Sequence, residues 1–119
     1  MAQYHEPTEE LDSSTRDAVR ALMSLKEEIE AVNWYHQRVQ AGDDAELVEV
    51  LAHNREEEIE HACMAIEWLR RNMEGWDENL RTYLFSEEPI TELEEGEEGE
   101  DEEGESDDSL NIGGMKASR

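Results

Sequence analysis

Two acids and an imidazole occupy positions where a helical pattern calls for apolar residues. Over residues 47–68 the seam runs Leu47, Leu51, Asn54, Glu58, His61, Ala65, Trp68, in alternating steps of four and three. That is the period of one helix face. Glu58 and His61 stand in its middle. A carboxylate taken out of water without a partner is strongly destabilising, so this placement implies a charged group opposite. Glu-x-x-His sets both groups on one face, one turn apart. Joined by a lone Glu from a neighbouring helix, it is the donor set of carboxylate-bridged di-metal sites in helical bundles. The alternative is simple. Residues 56–60 read Glu-Glu-Glu-Ile-Glu, and on a solvated face Glu58 and His61 need no ligand at all.

The elements that must position these groups follow from the same periodicity. Ala18, Leu22, Leu25, Ile29, Val32, His36 and Val39 predict a helix from about Ser14 to Gln40. Ser14 with Asp17 resembles a capping box, and Gly42 supplies a stop. Asp43 and Asp44 are both good N-cap residues, with Glu46 placed to complete a box from Asp43, and open a second helix from about Ala45 to Glu74, closed by Gly75. A connection of so few residues folds the two back as an antiparallel hairpin. Trp76 to Phe85 form a short third helix, whose extension Pro89 limits. Glu28 lies 14 residues before Gly42 and Glu58 lies 16 after it, so both sit at similar heights along the hairpin. One protomer therefore offers Glu28, Glu58 and His61 to a single point.

Three donors are half of a di-metal set, and a two-fold homodimer supplies the rest. Four carboxylates also neutralise two divalent ions. Oxygen and nitrogen donors suit iron or manganese, and a single cysteine cannot make a structural zinc or iron–sulfur site. The adjacent row Ile59, Ala62, Ile66, Leu69, Met73 makes the second helix apolar over a wide arc, which favours self-association. The predicted fold is all-α: an antiparallel two-helix hairpin plus a short C-terminal helix, dimerising into a four-helix bundle.

Other residues allow two readings each. Tyr35, seven residues after Glu28 on the same face, is either a packed aromatic or a hydrogen-bond partner for a ligand carboxylate. Glu27 and Glu30 are either solvated surface or an acidic approach path for cations. Trp34 reads as a core or interface aromatic, His36 as a packed or capped imidazole rather than a ligand, and His53 as solvent-facing. His5 belongs to the N-terminal stretch, and Cys63 reads as a small buried residue.

The chain has 34 acidic against 10 basic residues and a net charge of −24. That balance excludes nucleic acid as a partner and disfavours anionic membranes, while attracting small cations. No signal peptide or membrane-spanning run is evident, and the lone cysteine points to a reducing, cytoplasmic setting. Residues 1–12 read as a loose N-terminus and 13–86 as the helical half-bundle. Residues 87–108 carry fourteen of the acids, no base and three glycines, and so read as a disordered linker. Residues 109–119 form a tail in which apolar and cationic residues return.

These features together resemble the encapsulated ferritins, short ferritin-like proteins housed in encapsulin nanocompartments. The resemblance rests on Glu27-Glu28-Ile29-Glu30-Ala31-Val32-Asn33-Trp34-Tyr35 and on Ala52-His53-Asn54-Arg55-Glu56-Glu57-Glu58-Ile59-Glu60-His61-Ala62. It extends through Glu67-Trp68-Leu69-Arg70-Arg71-Asn72 and Leu80-Arg81-Thr82-Tyr83-Leu84-Phe85. It implies a ferritin-like bundle with a di-iron ferroxidase centre at a dimer interface, built from Glu28, Glu58 and His61 of each protomer with Tyr35 beside them. Glu27, Glu30 and Trp34 match the family's acidic access or secondary metal site. The resemblance further implies a decameric ring of five dimers that oxidises iron and leaves its storage to the shell. The stretch Leu110-Asn111-Ile112-Gly113-Gly114-Met115-Lys116 resembles the peptide that docks such cargo on the shell wall, with Leu110, Ile112, Gly113 and Met115 as its docking residues. Met115 stands where many such peptides have Leu, and Gly114 where many have Ser. The expected function is a cytoplasmic ferroxidase inside an encapsulin shell. The competing expectations are a non-enzymatic acidic helical adaptor and a different di-metal oxidase using manganese or iron.

Overall fold

A computed structural model describes residues 3–94. Among these the backbone is helical or irregular, with no strand. A 3-10 turn at Thr8–Glu10 precedes three α-helices: α1, Ser13–Ala41; α2, Ala45–Asn72; and α3, Trp76–Tyr83. The N-terminal stretch expected to be loose is tied to α1. Arg16 Nη1 donates to the carbonyls of Thr8 at 2.7 Å and Leu11 at 2.6 Å.

The cap of α1 lies two residues before the one expected, and the cap of α2 is the second of the two candidates. Asp12, not Ser14, caps α1: its carboxylate accepts from the Thr15 amide at 2.8 Å, and the Ser14 hydroxyl donates to the same oxygen. Of the two candidates Asp43 and Asp44, Asp44 caps α2, accepting from the Leu47 amide at 2.9 Å. Each cap satisfies an amide of the first turn that no helical carbonyl can reach. At the hairpin turn Gly42 is extended (φ −72°, ψ 148°), so its role is not a left-handed stop. A Cβ there would lie 2.8 Å from Val48 Cγ2 and 3.1 Å from the Arg38 carbonyl. Glycine is needed because the turn closes so tightly. Gly75 is the conformational case, with φ at +101° between α2 and α3.

Taken by itself, α3 carries an Asp77–Arg81 pair at 2.9 Å, one turn apart. It stops before Phe85, whose φ of 59° lies in the left-handed region and breaks the helix ahead of Pro89. Helical backbone resumes over residues 90–94, inside the stretch read as linker, and the Glu92 amide donates to the Pro89 carbonyl at 3.0 Å. Proline at such a start sacrifices no hydrogen bond, because first-turn amides have no helical acceptor.

Helices α1 and α2 pack against each other along the hairpin. Yet only Leu25 and Leu69 are buried among the described residues. The seam read from the sequence steps by an average of 3.5 residues, whereas a straight helix turns every 3.6. The seam therefore slips about 20° per heptad. By the end of α2 the inward position has passed to Leu69, which is fully buried, and Trp68 is left 38% exposed. In α1, Ile29 is 55% exposed although its seam neighbours Leu25 and Val32 are buried and half-buried. Cys63 is exposed rather than buried, six residues before Leu69 and well off the inward face.

Candidate metal centre

The hairpin brings Glu28, Glu58 and His61 together. Glu28 lies thirteen residues before the end of α1 and Glu58 thirteen after the start of α2, so the antiparallel fold sets them level. His61 follows Glu58 by one turn. One ligand atom from each of the three falls within 4.8 Å of the others. His61 Nδ1 lies 3.6 Å from Glu28 Oε1 and 3.5 Å from Glu58 Oε1. The two carboxylates are half-buried, and the imidazole side chain is 44% exposed.

The electrostatics show the strain of this arrangement. The Glu28 carboxyl is held above its ordinary value of about 4.5. The main cause is Glu58, close enough to share a hydrogen bond, and a shared proton replaces the repulsion of two anions. Partial burial pushes the same way, and His61 opposes both more weakly. A divalent cation at this point would take the place of the shared proton and satisfy both oxygens. The donor set of two carboxylates and one imidazole fits Fe(II), Mn(II) or Zn(II).

The sign of this effect can be tested in metal-free protein. A raised Glu28 value stabilises the fold at and below about pH 4.5, and that stabilisation is lost as pH rises through the raised value. Above that raised value the Glu28 charge beside Glu58 opposes the fold. With chelator present and protein concentration fixed, Glu28→Gln is expected to melt roughly 2–5 °C above wild type at pH 7. Its melting temperature should also change less with pH above 4.5. Thermal unfolding followed by circular dichroism measures both, and an unchanged or lower midpoint contradicts the assignment.

Other sequence-predicted residues lie elsewhere. Glu27, Glu30 and Trp34 are exposed and stand outside the cluster. Steps of three and four place them together on a different side of α1 from Glu28. Tyr35 is half-buried, and its ring carries the Arg38 guanidinium 5.1 Å from the centroid. His36, expected to be packed or capped, is exposed and partnered: its Nδ1 lies 3.0 Å from Arg55 Nη1. His53 faces solvent, as its position predicted. Leu110, Ile112, Gly113 and Met115 lie outside the described residues. Sequence reasoning missed Glu57, whose Oε1 lies 3.9 Å from His61 Nε2. The available signal was its spacing of four from both His53 and His61.

The centre sits on a face that the hairpin leaves uncovered. Leu47 and Val50 are each 51% exposed, Met64 59% and Trp68 38%. At 100° per residue these four fall within about 60° of His61 around α2. Among the described residues, no helix is long and apolar enough to cross a membrane.

Comparison with known proteins accords with the helical fold. A "Ferritin-like protein" of Thermotoga maritima is 67% identical over 93 residues, covering 78% of this chain and 82% of its own length. An "Encapsulated ferritin-like protein" of Rhodospirillum rubrum is 52% identical over 121 aligned positions, covering 94% of this chain and 86% of its own. The crystal structure of protein ne0167 from Nitrosomonas europaea superposes with a TM-score of 0.71 at 55% identity, covering 73% of this chain and 96% of that one. The sequence pattern of one family matches residues 3–87, a span that holds the hairpin, Glu28, Glu58 and His61, and α3. The chain belongs to the EncFtn-like family.

Proposed function

We propose that the protein is a ferroxidase whose di-iron centre is completed by a second copy of the chain. One observation carries this reading: three ligand atoms within 4.8 Å of one another lie on an exposed apolar face. A two-fold partner on that face would duplicate the set, giving four carboxylates and two imidazoles for two Fe(II) ions. Iron is the substrate. Each Fe(II) gives up one electron, and O₂ accepts the pair. The added positive charge is offset by Glu28 and Glu58, while the His61 imidazoles hold the outer ends. Ligands must be unprotonated to bind, so iron uptake falls as pH drops into the histidine and carboxylate range. Glu27, Glu30 and Trp34 would form the approach surface, where exposed carboxylates raise the local Fe(II) concentration. Tyr35 would hydrogen-bond a ligand carboxylate.

The name of the Rhodospirillum relative supports association with an encapsulin shell. The dimers would assemble further into a decameric ring. Residues 109–119 would dock on the inner wall of the shell, with residues 87–108 as a charged tether. Deleting residues 109–119 is expected to abolish loading into a co-expressed shell while leaving iron oxidation at the wild-type rate. Loading that survives the deletion would remove the docking role.

The direct test of the activity is anaerobic Fe(II) addition followed by air. A fast rise in ferric absorbance supports the ferroxidase reading. Iron that binds weakly and oxidises no faster than in buffer supports the acidic adaptor instead. A preference for manganese would favour a different di-metal oxidase.

A further inference from the structure

The two ring nitrogens of His61 meet different surroundings. Nδ1 faces the cluster, 3.6 Å from Glu28 and 3.5 Å from Glu58. Nε2 points away from it, toward Glu57 Oε1 at 3.9 Å. The second oxygen of Glu57 lies 3.7 Å from His53 Nε2. Steps of four set His53, Glu57 and His61 in a ladder along one side of α2, with the carboxylate between two imidazoles.

A neutral imidazole gives a lone pair from one nitrogen and carries its proton on the other. When Nδ1 gives its lone pair to a cation at the cluster, the proton belongs on Nε2, and the carboxylate beside Nε2 is that of Glu57. From this geometry we infer that Glu57 is a positioning residue: its carboxylate accepts the His61 Nε2–H and thereby aims the Nδ1 lone pair at the point between Glu28 and Glu58 where a cation would sit. The inference rests on reading the cluster as a metal half-site. Outer carboxylates of this kind set the tautomer and ring orientation of a ligand histidine and strengthen it as a donor. Closing the gap to hydrogen-bond length needs about 1 Å of side-chain motion, which a half-exposed glutamate readily makes, and such contacts tighten when a site is filled. The sequence places Glu57 among four neighbouring acids, where nothing distinguishes it. Its position between the two histidines does.

An exposed pair of this kind contributes little to folding. The effect therefore falls on metal affinity. Co(II), titrated anaerobically into the full-length protein and followed by its visible absorption, separates binding from oxidation. Glu57→Ala is expected to bind Co(II) about 10-fold more weakly than wild type, with unchanged helicity and native mass. Glu57→Gln retains an oxygen that accepts the Nε2–H, so it should stay within roughly threefold of wild type. That rescue is something a merely structural role would not produce. Unchanged affinity in Glu57→Ala overturns the inference. So does a Glu57→Gln protein as weak as the alanine variant, since Glu57 would then act through its charge or as a direct ligand. His61→Ala and Glu58→Ala report on the half-site itself. If neither loses Co(II) affinity, the metal-centre reading and the Glu57 inference both fall. If both lose it while Glu57→Ala does not, only the role of Glu57 falls.

Discussion

Glu58→Ala is expected to slow aerobic oxidation of Fe(II) by more than about 100-fold, because loss of an outer partner alone costs 10–100-fold at metal sites. Glu58 offers one of the three candidate ligand atoms, within 4.8 Å of those of Glu28 and His61, and in a two-fold assembly the substitution would strike twice. Alanine is the best helix former, so α2 should persist and the loss should not reflect unfolding. Removing Glu58 also frees Glu28 from the neighbour that raises its pKa, so the metal-free variant should be no less stable than wild type. Glu56→Ala is the control. It removes an exposed acid two residues away that lies outside the cluster, and its rate should match wild type. Stopped-flow absorbance of ferric product reads both. A Glu58→Ala protein within a few-fold of wild type would show that iron is oxidised somewhere else.

Trp68→Lys is expected to break self-association and oxidation together. The monomer has little to hold it closed, with only Leu25 and Leu69 buried among the described residues. Meanwhile Leu47, Val50, Met64 and Trp68 stand exposed beside His61. Burying such a stripe against a second copy recovers hydrophobic free energy that the hairpin alone leaves unused. Tryptophan in the middle of an interface commonly contributes about 2 kcal/mol or more, and an unpaired lysine there adds a desolvation penalty. The expected dimer dissociation constant rises at least about 30-fold, since 1.4 kcal/mol is a factor of ten. Native mass spectrometry should show monomer at concentrations where wild type is assembled. Oxidation per chain should fall in step and recover as protein concentration is raised. A monomer that oxidises iron at the full rate would mean that one chain suffices. An unchanged mass would place the interface on another face.

Much of this architecture could be read from residue spacing. The two long helices, their hairpin connection and the convergence of Glu28, Glu58 and His61 all follow from period and from distance to the turn. These are one-dimensional quantities, and a rigid helix converts them directly into height. The caps were less legible. Asp12, Ser13 and Ser14 all have cap-forming side chains, as do Asp43 and Asp44, and local sequence does not choose among neighbours of equal chemistry. The short helix α3 was read two residues too long, because the left-handed turn at Phe85 carries no glycine or asparagine to announce it.

Composition and spacing by themselves determined that this chain folds as a helical hairpin carrying two glutamates and a histidine at one level. They also determined that it is too poor in apolar residues to bury them well alone. Tertiary structure decided which way each side chain turns. It put Leu69 rather than Trp68 inside, left Glu27 and Glu30 outside the cluster, and set His61 with one nitrogen on the acids and the other toward Glu57. The physical reason is angular. A sequence pattern repeats in whole residues, whereas a helix turns by 100° per residue. The small mismatch accumulates over 28 residues until packing, not periodicity, selects the inward face.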